Sequence, residues 1–440
     1  MSTAYTSIEA LYHLFVGSGQ KICTDTRKPE AGSIFFALRG GNFNANEFAQ
    51  KAIEDGCAYA IVDDAKYANG QSTLLVADAL TALQDLARYH RDQLKIPVIG
   101  ITGSNGKTTN KELIHAVLSQ KYNTYATKGN LNNHIGVPLS VLSVTPDHEM
   151  AVIEMGANHQ GEIDFLCHIC KPDLGLITNI GKAHLEGFGG EEGVKKGKSE
   201  LYRYLRTHKG KIFVNGQDPV LMDLAAGSEC LCYGDADPSF FVYGQSYQNS
   251  DFVEFRWAPQ GKTLDESQLI KTNMFGHYNY INLLCAACIG HYFEVSPAAV
   301  KTALESYTPE MNRSQVVKTN HNTVILDAYN ANPSSMQAAI VNFSRQNSPN
   351  KLVILGDMFE LGEYAAREHE TILELLQTTK MEAILVGPNF YELKNKYNSH
   401  LYFEDSEACK MYMKQNHRDK YHILVKGSRG MKLEGLLEVL

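Results

Sequence analysis

A glycine-rich segment between a short apolar run and a helical pattern carries the residue types that bind phosphate. The segment follows Val98–Ile101 and consists of Thr102, Gly103, Ser104, Asn105, Gly106, Lys107, Thr108 and Thr109. Glycines let backbone N–H groups approach a phosphate, and the N-terminus of the next helix adds partial positive charge. Lys107 can reach the β- and γ-phosphates, and the Thr108 hydroxyl can bind Mg²⁺. The pattern predicts nucleotide binding by a shortened phosphate loop, against the alternative of a chance strand-to-helix turn.

Two further residues could serve a metal ion beside this loop. Glu154 ends the apolar run 150–154, and His184 follows the apolar run 174–178. Because the carboxyl ends of parallel strands meet at one sheet edge, we expect both side chains near Thr108. Alternatives are an exposed strand-end acid for Glu154 and an ordinary loop histidine for His184. Lys198 belongs to a basic cluster, and its residue type alone indicates only a solvated helix face.

The composition of the chain is that of a globular protein of about three domains. The chain has 440 residues, with 41 Lys and Arg against 49 Asp and Glu, a net charge of −8. This balance gives no general attraction to nucleic acid or anionic lipid, so phosphate binding must be local. No apolar run has the roughly 18 residues of a spanning helix. The first residues also lack a signal-peptide pattern. We therefore expect a cytoplasmic protein that binds no nucleic acid and does not insert into a membrane.

The elements that would position these residues divide the chain into three α/β domains. Residues 1–94 read as a mixed α/β domain, with strands near 33–38 and 59–62. Residues 95–309 alternate apolar strands with helices, which predicts a mostly parallel sheet carrying the phosphate loop, with an antiparallel excursion over 243–271. Residues 310–440 repeat the alternation with four strands and predict a Rossmann-like domain.

Nine cysteines are too scattered to indicate a disulfide framework. Cys167 with Cys170, and Cys285 with Cys288, could each provide half of a zinc site. Both pairs stand at helical spacing among apolar residues, where cysteine usually packs as a small hydrophobe. Core packing is the favoured interpretation.

Taken together, these motifs resemble the Mur ligases, ATP-dependent enzymes that form amide bonds in peptidoglycan precursor synthesis. The similarity includes the phosphate loop, Glu-Met-Gly at 154–156, the segment 179–185 and the helix start at Lys198. Five longer motifs, at 24–27, 129–138, 327–336, 355–362 and 425–429, are similar to the branch of this family that adds D-alanyl-D-alanine to UDP-N-acetylmuramoyl-tripeptide. The resemblance covers essentially the whole chain. It implies an ATP- and Mg²⁺-dependent ligase with these two substrates, acting as a monomer through an acyl phosphate.

The resemblance also implies a role for individual residues. Lys107, Glu154, His184 and Lys198 would be catalytic, and Lys198 falls where the family carries a carbamylated lysine that can face Mg²⁺ together with Thr108, Glu154 and His184. Further ATP contacts would be Asn282, Arg313, Asp327 and Tyr329. The substrate contacts would be Asp25, Thr26, Arg27, Asn130, Asn133, Asn332, Asp357, Glu360, Lys426, Ser428 and Arg429.

Some features favour other interpretations or depart from the family. A P-loop kinase or motor ATPase would share the phosphate loop, but its second strand would typically end in Asp rather than Glu154. A related ligase that adds another group should lack the motif at 425–429. A non-catalytic nucleotide-binding module would not need a complete set of candidate ligands, and here all of them are present. Relatives often carry Phe-Asp-Gly-His where this chain has Phe-Asn-Ala-Asn at 43–46, so the first domain lacks that Asp and that His.

Overall fold

The computed structural model describes residues 5–41, 43–247, 250–310 and 312–440. The residues at the start considered above for a signal peptide include 1–4, which lie outside this range. Three main sheets of four, nine and six strands succeed one another along the chain. We call the parts built on them the first, second and third units. Among the described residues, no helix combines the length and apolar character needed to cross a bilayer.

The first unit is a small parallel sheet flanked by helices. Its strands are β1 (Ile22–Cys23), β2 (Ile34–Phe36), β3 (Arg39–Gly40), β4 (Phe43–Asn44), β5 (Tyr59–Val62) and β6 (Thr73–Leu75), and its helices are α1 (Ile8–Gly17), α2 (Ala49–Glu54) and α3 (Ala79–Gln93). The sheet order is β1-β2-β5-β6, all parallel, while β3 and β4 form a separate antiparallel ribbon. The strand predicted over 33–38 is confirmed but shorter.

The second unit contains the largest sheet. Its strands are β7 (Val98–Thr102), β8 (Thr124–Ala126), β9 (Met150–Glu154), β10 (Leu174–Ile177), β11 (Lys211–Asn215), β12 (Glu229–Asp235), β13 (Val242–Tyr247), β14 (Phe252–Pro259) and β15 (Ile270–Phe275). Its helices are α4 (Lys107–Leu118), α5 (Gly136–Leu142), α6 (Glu162–Cys170), α7 (Leu185–Phe188), α8 (Glu191–Lys198), α9 (Glu200–Thr207), α10 (Pro219–Ala225), α11 (Tyr280–Tyr292) and α12 (Pro297–Ser306).

The order of this sheet places the site residues on neighbouring strands. From one edge it runs β15-β14-β13-β12-β11-β10-β7-β9-β8, so β7 lies between β10 and β9. All five residues of β7 are buried, as expected for a strand covered on both faces. The predicted antiparallel excursion is confirmed by the pairing of β13 with β14 and of β14 with β15. The ends of β7, β9 and β10 therefore meet at one sheet edge.

The third unit has two more strands than the four predicted. Its strands are β16 (Gln315–Lys318), β17 (Thr323–Asp327), β18 (Lys351–Gly356), β19 (Glu382–Val386), β20 (Leu401–Phe403) and β21 (His422–Lys426), and its helices are α13 (Pro333–Ser344), α14 (Ala365–Thr379), α15 (Pro388–Glu392) and α16 (Ser406–Gln415). The order is β16-β17-β21-β18-β19-β20, with β16 antiparallel and the rest parallel. Both additional strands are edge strands, whose side chains are only partly buried and give a weak apolar signal.

The cysteine pairs lie in the core of the second unit, which confirms the packing interpretation. All four thiols are buried, and Cys167 and Cys170 lie 3.9 and 3.7 Å from the sulfur of Met155. Burial raises the pKa of the Cys285 thiol to about 12. Among the described residues, no group of three His, Cys, Asp or Glu side chains is placed to hold a metal ion.

Candidate active site

The phosphate loop connects β7 to α4 and depends on two glycines. Gly103 has φ +143°, and a Cβ atom there would lie 2.0 Å from the hydroxyl of Thr178. Gly106 caps α4 in the left-handed region with φ +76°. Any side chain at Gly103 would force the loop away from β10, because both elements are packed together there. The glycines therefore set the path of the loop that the sequence predicts.

Lys107 is folded back over the loop that it follows. Its Nζ donates hydrogen bonds to the carbonyl oxygens of Gly103 at 2.8 Å and Ser104 at 3.1 Å. Burial lowers the pKa of Lys107, Glu154 opposes this effect and Arg313 adds to it. An ammonium group held by carbonyls at the centre of the loop marks a position suited to an anionic ligand. The loop thus fits the nucleotide phosphates.

The loop is braced by the residues that follow β10. The backbone N–H of Asn105 donates to Oδ1 of Asn179 at 3.1 Å, and that of Ser104 donates to the Asn179 carbonyl at 3.0 Å. The hydroxyl of Thr178 donates to the Asn105 carbonyl at 2.6 Å. These bonds satisfy polar groups of an otherwise irregular segment. They also tie the phosphate loop to the segment that leads to His184.

A carboxylate and a hydroxyl face each other at the predicted metal position. The Thr108 hydroxyl donates to Oε2 of Glu154 at 2.9 Å, and Asn132 Nδ2 donates to Oε1 at 2.8 Å. Glu154 is 2% exposed. Mg²⁺ typically takes one or two carboxylates together with phosphate oxygens and water. The buried oxygen pair fits that donor set, and Thr108 and Glu154 would hold the ion.

His184 opens α7 at the same sheet edge and borders the same cavity as Glu154. Its Nδ1 is hydrogen-bonded to the carboxylate of Glu360, which comes from the third unit. This bond is the main reason why the pKa of Glu360 lies below its usual value. The imidazole is therefore engaged by a carboxylate of the third unit.

Lys198 is the last residue of α8 and is 1% exposed. Its Nζ donates to the carbonyl of Ala157 at 3.1 Å and lies 5.0 Å from the ring centre of Phe188. Burial, reinforced by the positive charge of Lys107, holds the pKa of Lys198 well below its usual value. The expectation from composition alone, a solvated helix face, is wrong for this residue. A buried amine without a described carboxylate partner is favoured in its neutral, nucleophilic form.

The third unit presents charged groups to the same cavity. The guanidinium carbon of Arg313 lies 3.6 Å from the ring centre of Tyr329, and that of Arg429 lies 5.1 Å from it. Asp327 accepts from the Lys426 ammonium at 2.6 Å. Asp327 also accepts from the backbone N–H of Ser314 at 3.1 Å. Both guanidinium groups therefore lie close to one aromatic ring.

Asn282, on α11, contacts α4 and lies beside Gly106 of the phosphate loop. Its Oδ1 accepts from Asn110 Nδ2 at 2.8 Å, and its Nδ2 donates to Asn279 at 3.0 Å. A Cβ atom at Gly106 would lie 3.2 Å from Asn282 Oδ1. This amide can therefore contact a nucleotide bound at the loop.

A cavity of about 900 Å³ joins these groups between the second and third units. Most of the predicted site residues line it: Ser104, Asn105, Gly106, Lys107, Thr108, Thr109, Asn130, Asn133, Glu154, His184, Asn282, Arg313, Asp327, Tyr329, Asn332 and Lys426. Asn133 also accepts the backbone N–H groups of Ile135 and Gly136, which fixes the start of α5. The cavity brings together residues from both units, as the resemblance implies.

Other predicted site residues lie outside the wall of this cavity: Asp25, Thr26, Arg27, Thr102, Gly103, Lys198, Asp357, Glu360, Ser428 and Arg429. Asp25 forms a two-point ion pair with Arg27, whose hydrogen bonds lower the pKa of Asp25 to about 2. Asp357 is fully buried and accepts from the backbone N–H groups of Asn389 and Phe390. Ser428 accepts from the N–H of Phe359. The described contacts of Asp357 and Ser428 are thus internal to the third unit.

The departure at 43–46 has a structural explanation. Asn46 is fully buried, donates to Asp63 at 2.7 Å and accepts the Asp63 backbone N–H at 3.0 Å. Phe43 is 54% exposed and stacks on Phe48. In this chain the motif braces the end of β5.

Several site residues were not singled out from the sequence. Asn132 holds Glu154, Asn179 braces the phosphate loop, and Ser334 accepts the Lys182 backbone N–H at 2.9 Å. All three stand inside motifs that had been noted, so their positions carried a signal. Tyr278, whose hydroxyl is 2.7 Å from that of Ser314, stands four residues before the predicted ATP contact Asn282.

The chain matches two family models. The model of the Mur ligase middle domain matches residues 101–290, and that of the Mur ligase glutamate ligase domain matches residues 312–429.

The chain is also similar to proteins named UDP-N-acetylmuramoyl-tripeptide–D-alanyl-D-alanine ligase. The protein of Bacillus subtilis is 34% identical over 95% of this chain and 92% of its own length. The Escherichia coli protein is 33% identical over 95% of this chain and 93% of its own length.

Solved structures give the same result. MurF from Acinetobacter baumannii is 31% identical with a TM-score of 0.85, covering 95% of this chain and 92% of that one. MurF ligase from Thermotoga maritima in complex with ADP is 25% identical with a TM-score of 0.82, covering 95% and 96%. The predicted α/β fold is therefore confirmed.

Proposed function

The chain belongs to the Mur ligase family, and from this premise we propose that it is the ATP-dependent ligase that joins D-alanyl-D-alanine to UDP-N-acetylmuramoyl-tripeptide. Members of the family use nucleotide and peptide-nucleotide substrates. The relatives at 30–34% identity over about 95% of this chain carry that activity in their names. The observation that carries the proposal is the cavity in which the phosphate loop and the Thr108–Glu154 pair face Arg313 and Asn332 of the third unit.

In the first step, the terminal carboxylate of the tripeptide attacks the γ-phosphorus of ATP, and ADP leaves with the electron pair of the broken P–O bond. The product is an acyl phosphate. Lys107 lies where its ammonium offsets the charge on the transferred group, and Arg313 enters from the other wall. Mg²⁺ supplies further charge neutralisation when bound. Thr108 and Glu154 would hold it, with His184 beside them.

In the second step, the amine of D-alanyl-D-alanine attacks the activated carbonyl carbon, and inorganic phosphate leaves as the amide bond forms. An acyl phosphate must be protected from water until the amine attacks, and a cavity between two units can provide that protection. Asn130 and Asn133 border the cavity, and Lys426 lies on its third-unit wall. We propose that these residues contact the peptide substrates.

We further propose that Lys198 is carbamylated. Carbamylation adds CO₂ to a neutral amine with loss of a proton, and the burial of Lys198 favours the neutral amine. The added group would be carboxylate-like and would extend past Ala157 toward the cavity.

We propose domain boundaries near residues 94 and 309, a monomeric enzyme and a cytoplasmic location. The three sheets fall within 22–75, 98–275 and 315–426, which supports the boundaries. Light scattering after size exclusion would test the oligomeric state.

The deciding experiment measures phosphate release with ATP, UDP-N-acetylmuramoyl-tripeptide and D-alanyl-D-alanine, leaving out each in turn. Release that requires all three and yields the pentapeptide by mass spectrometry supports the proposal. Release that does not depend on the dipeptide contradicts it and indicates another acceptor.

A further inference from the structure

The carboxylate that contacts His184 comes from a different unit of the chain. Glu360 lies in the connection after β18, and its side chain reaches Nδ1 of His184 across the boundary between the second and third units. Glu360 also has a left-handed backbone, with φ +61°, and its carbonyl accepts the N–H of Glu186 at 3.2 Å. The contact therefore involves both the backbone and the side chain of Glu360.

The segment around His184 is held by the third unit at two further points. The backbone N–H of Lys182 donates to Ser334 Oγ at 2.9 Å. Its ammonium lies 2.7 Å from Oε1 of Glu368, a carboxylate in α14 that is 3% exposed. The position of His184 thus depends on how the third unit sits against the second.

A neutral imidazole carries one N–H, and the partner of one ring nitrogen decides what the other can do. A carboxylate that accepts the Nδ1–H leaves Nε2 with its lone pair available. Histidines that bind metals commonly donate their other N–H to such a carboxylate, which fixes both the tautomer and the ring orientation. The described contact supplies that arrangement at a residue bordering the nucleotide cavity.

We propose that Glu360 is a positioning residue, which accepts the Nδ1–H of His184 across the boundary between the second and third units and thereby presents Nε2 to the metal–nucleotide site. This inference rests on the proposed function for the presence of that site. It differs from the expectation that Glu360 contacts the dipeptide, because Glu360 acts here through His184.

The test compares the full-length protein with Glu360→Ala, and uses Glu363→Ala as a matched control because Glu363 is an exposed acid close by with no described ion pair. The first readout is the ¹⁵N spectrum of labelled histidines, with His184→Gln identifying the His184 signals. We expect an Nδ1–H tautomer in the wild type and a tautomer mixture in Glu360→Ala. The second readout is binding of Mn²⁺ with ADP followed by electron paramagnetic resonance. We expect roughly 10- to 100-fold weaker Mn²⁺ binding in Glu360→Ala.

A second variant covers the case in which Glu360→Ala does not fold. Glu360→Gln keeps an acceptor oxygen, so we expect the tautomer to persist and Mn²⁺ binding to weaken by a smaller factor. The inference is overturned if Glu360→Ala leaves both the tautomer and Mn²⁺ binding unchanged. If only Glu360→Gln folds, Mn²⁺ binding equal to wild type in that variant overturns it. Neither readout requires ligation. If the wild type fails to form pentapeptide, but Glu360→Ala still changes the tautomer of His184, only the proposed function is contradicted.

Discussion

Asn332 donates a hydrogen bond from Nδ2 to Oδ1 of Asn105 at 2.7 Å and so connects the start of α13 to the phosphate loop. The same side chain accepts the backbone N–H of Ser335 through Oδ1 and caps α13. One amide therefore stabilises a helix and joins two units of the chain. The cap on α13 and the hydrogen bond to Asn105 can be tested separately.

We expect Asn332→Asp to keep the cap and lose the donor toward Asn105. Thermal stability should stay close to wild type, while the KM for ATP rises because a carboxylate then faces the Asn105 oxygen. Asn332→Ala loses both functions, and the lost cap should lower the unfolding free energy by about 1 kcal/mol. Equal KM values for Asn332→Asp and wild type would contradict a role of this bond in ATP binding.

Replacement of Lys107 should abolish ligation without unfolding the chain. The Lys107 ammonium is the cation centred on the phosphate loop, and its described hydrogen bonds are to two carbonyls of that loop. We expect no measurable pentapeptide from Lys107→Ala and a circular dichroism spectrum like that of wild type. Near-normal turnover in this variant would exclude the assignment of the phosphate loop.

Lys198→Ala should lose activity that a short carboxylic acid partly restores, because the acid can replace a carbamate in the vacated space. Labelling with ¹³C-bicarbonate should give a carbamate signal in wild type that is absent from Lys198→Ala. Lys196→Ala is the matched control, since Lys196 is an exposed residue of the same helix. Full activity of Lys198→Ala, with no carbamate signal in wild type, would leave a structural role only.

The ion pair between Lys182 and Glu368 should contribute to seating the third unit. Lys182→Met leaves a carboxylate that is 3% exposed without its described cation. We expect a loss of about 1–3 kcal/mol in unfolding free energy, measured by denaturant titration. The double variant Lys182→Met, Glu368→Leu should regain part of that loss, and a double variant no more stable than Lys182→Met would contradict the pairing.

His90 should make stability fall as the pH is lowered. Burial lowers the pKa of His90 below its usual value, while Nε2 is 2.8 Å from the carbonyl of Val144. The unfolded chain therefore takes up a proton that the folded state resists. Stability is complete above the unfolded value of about 6.5 and declines as the pH falls below it. His90→Gln should flatten this dependence in denaturant titrations, whereas the exposed His13→Gln should not.

The sequence predicted the local parts of this molecule well. The strand β7, the phosphate loop and α4 form a continuous segment whose apolar and glycine pattern is determined by nearby residues. The short edge strand β20 was missed because three partly buried residues give too little periodicity. The sequence pattern was sufficient for elements whose form depends on residues close to one another in the chain.

The contacts between units could not be predicted in the same way. Asn105 and Asn332 are 227 residues apart, and nothing near either residue indicates the other. Likewise, His184 and Glu360 are 176 residues apart and belong to different units. Similarly, Lys198 reads as part of a charged surface, and only the packing of α8 shows that its amine is buried.

The origin of the cavity wall has a consequence for the first unit. The residues described in that wall run from Ser104 to Lys426, so the first unit contributes none of them. The small sheet at the start of the chain, including the segment 43–46, is therefore separate from the described wall that surrounds the phosphate loop. Exchange of this module would leave the described wall of the cavity intact.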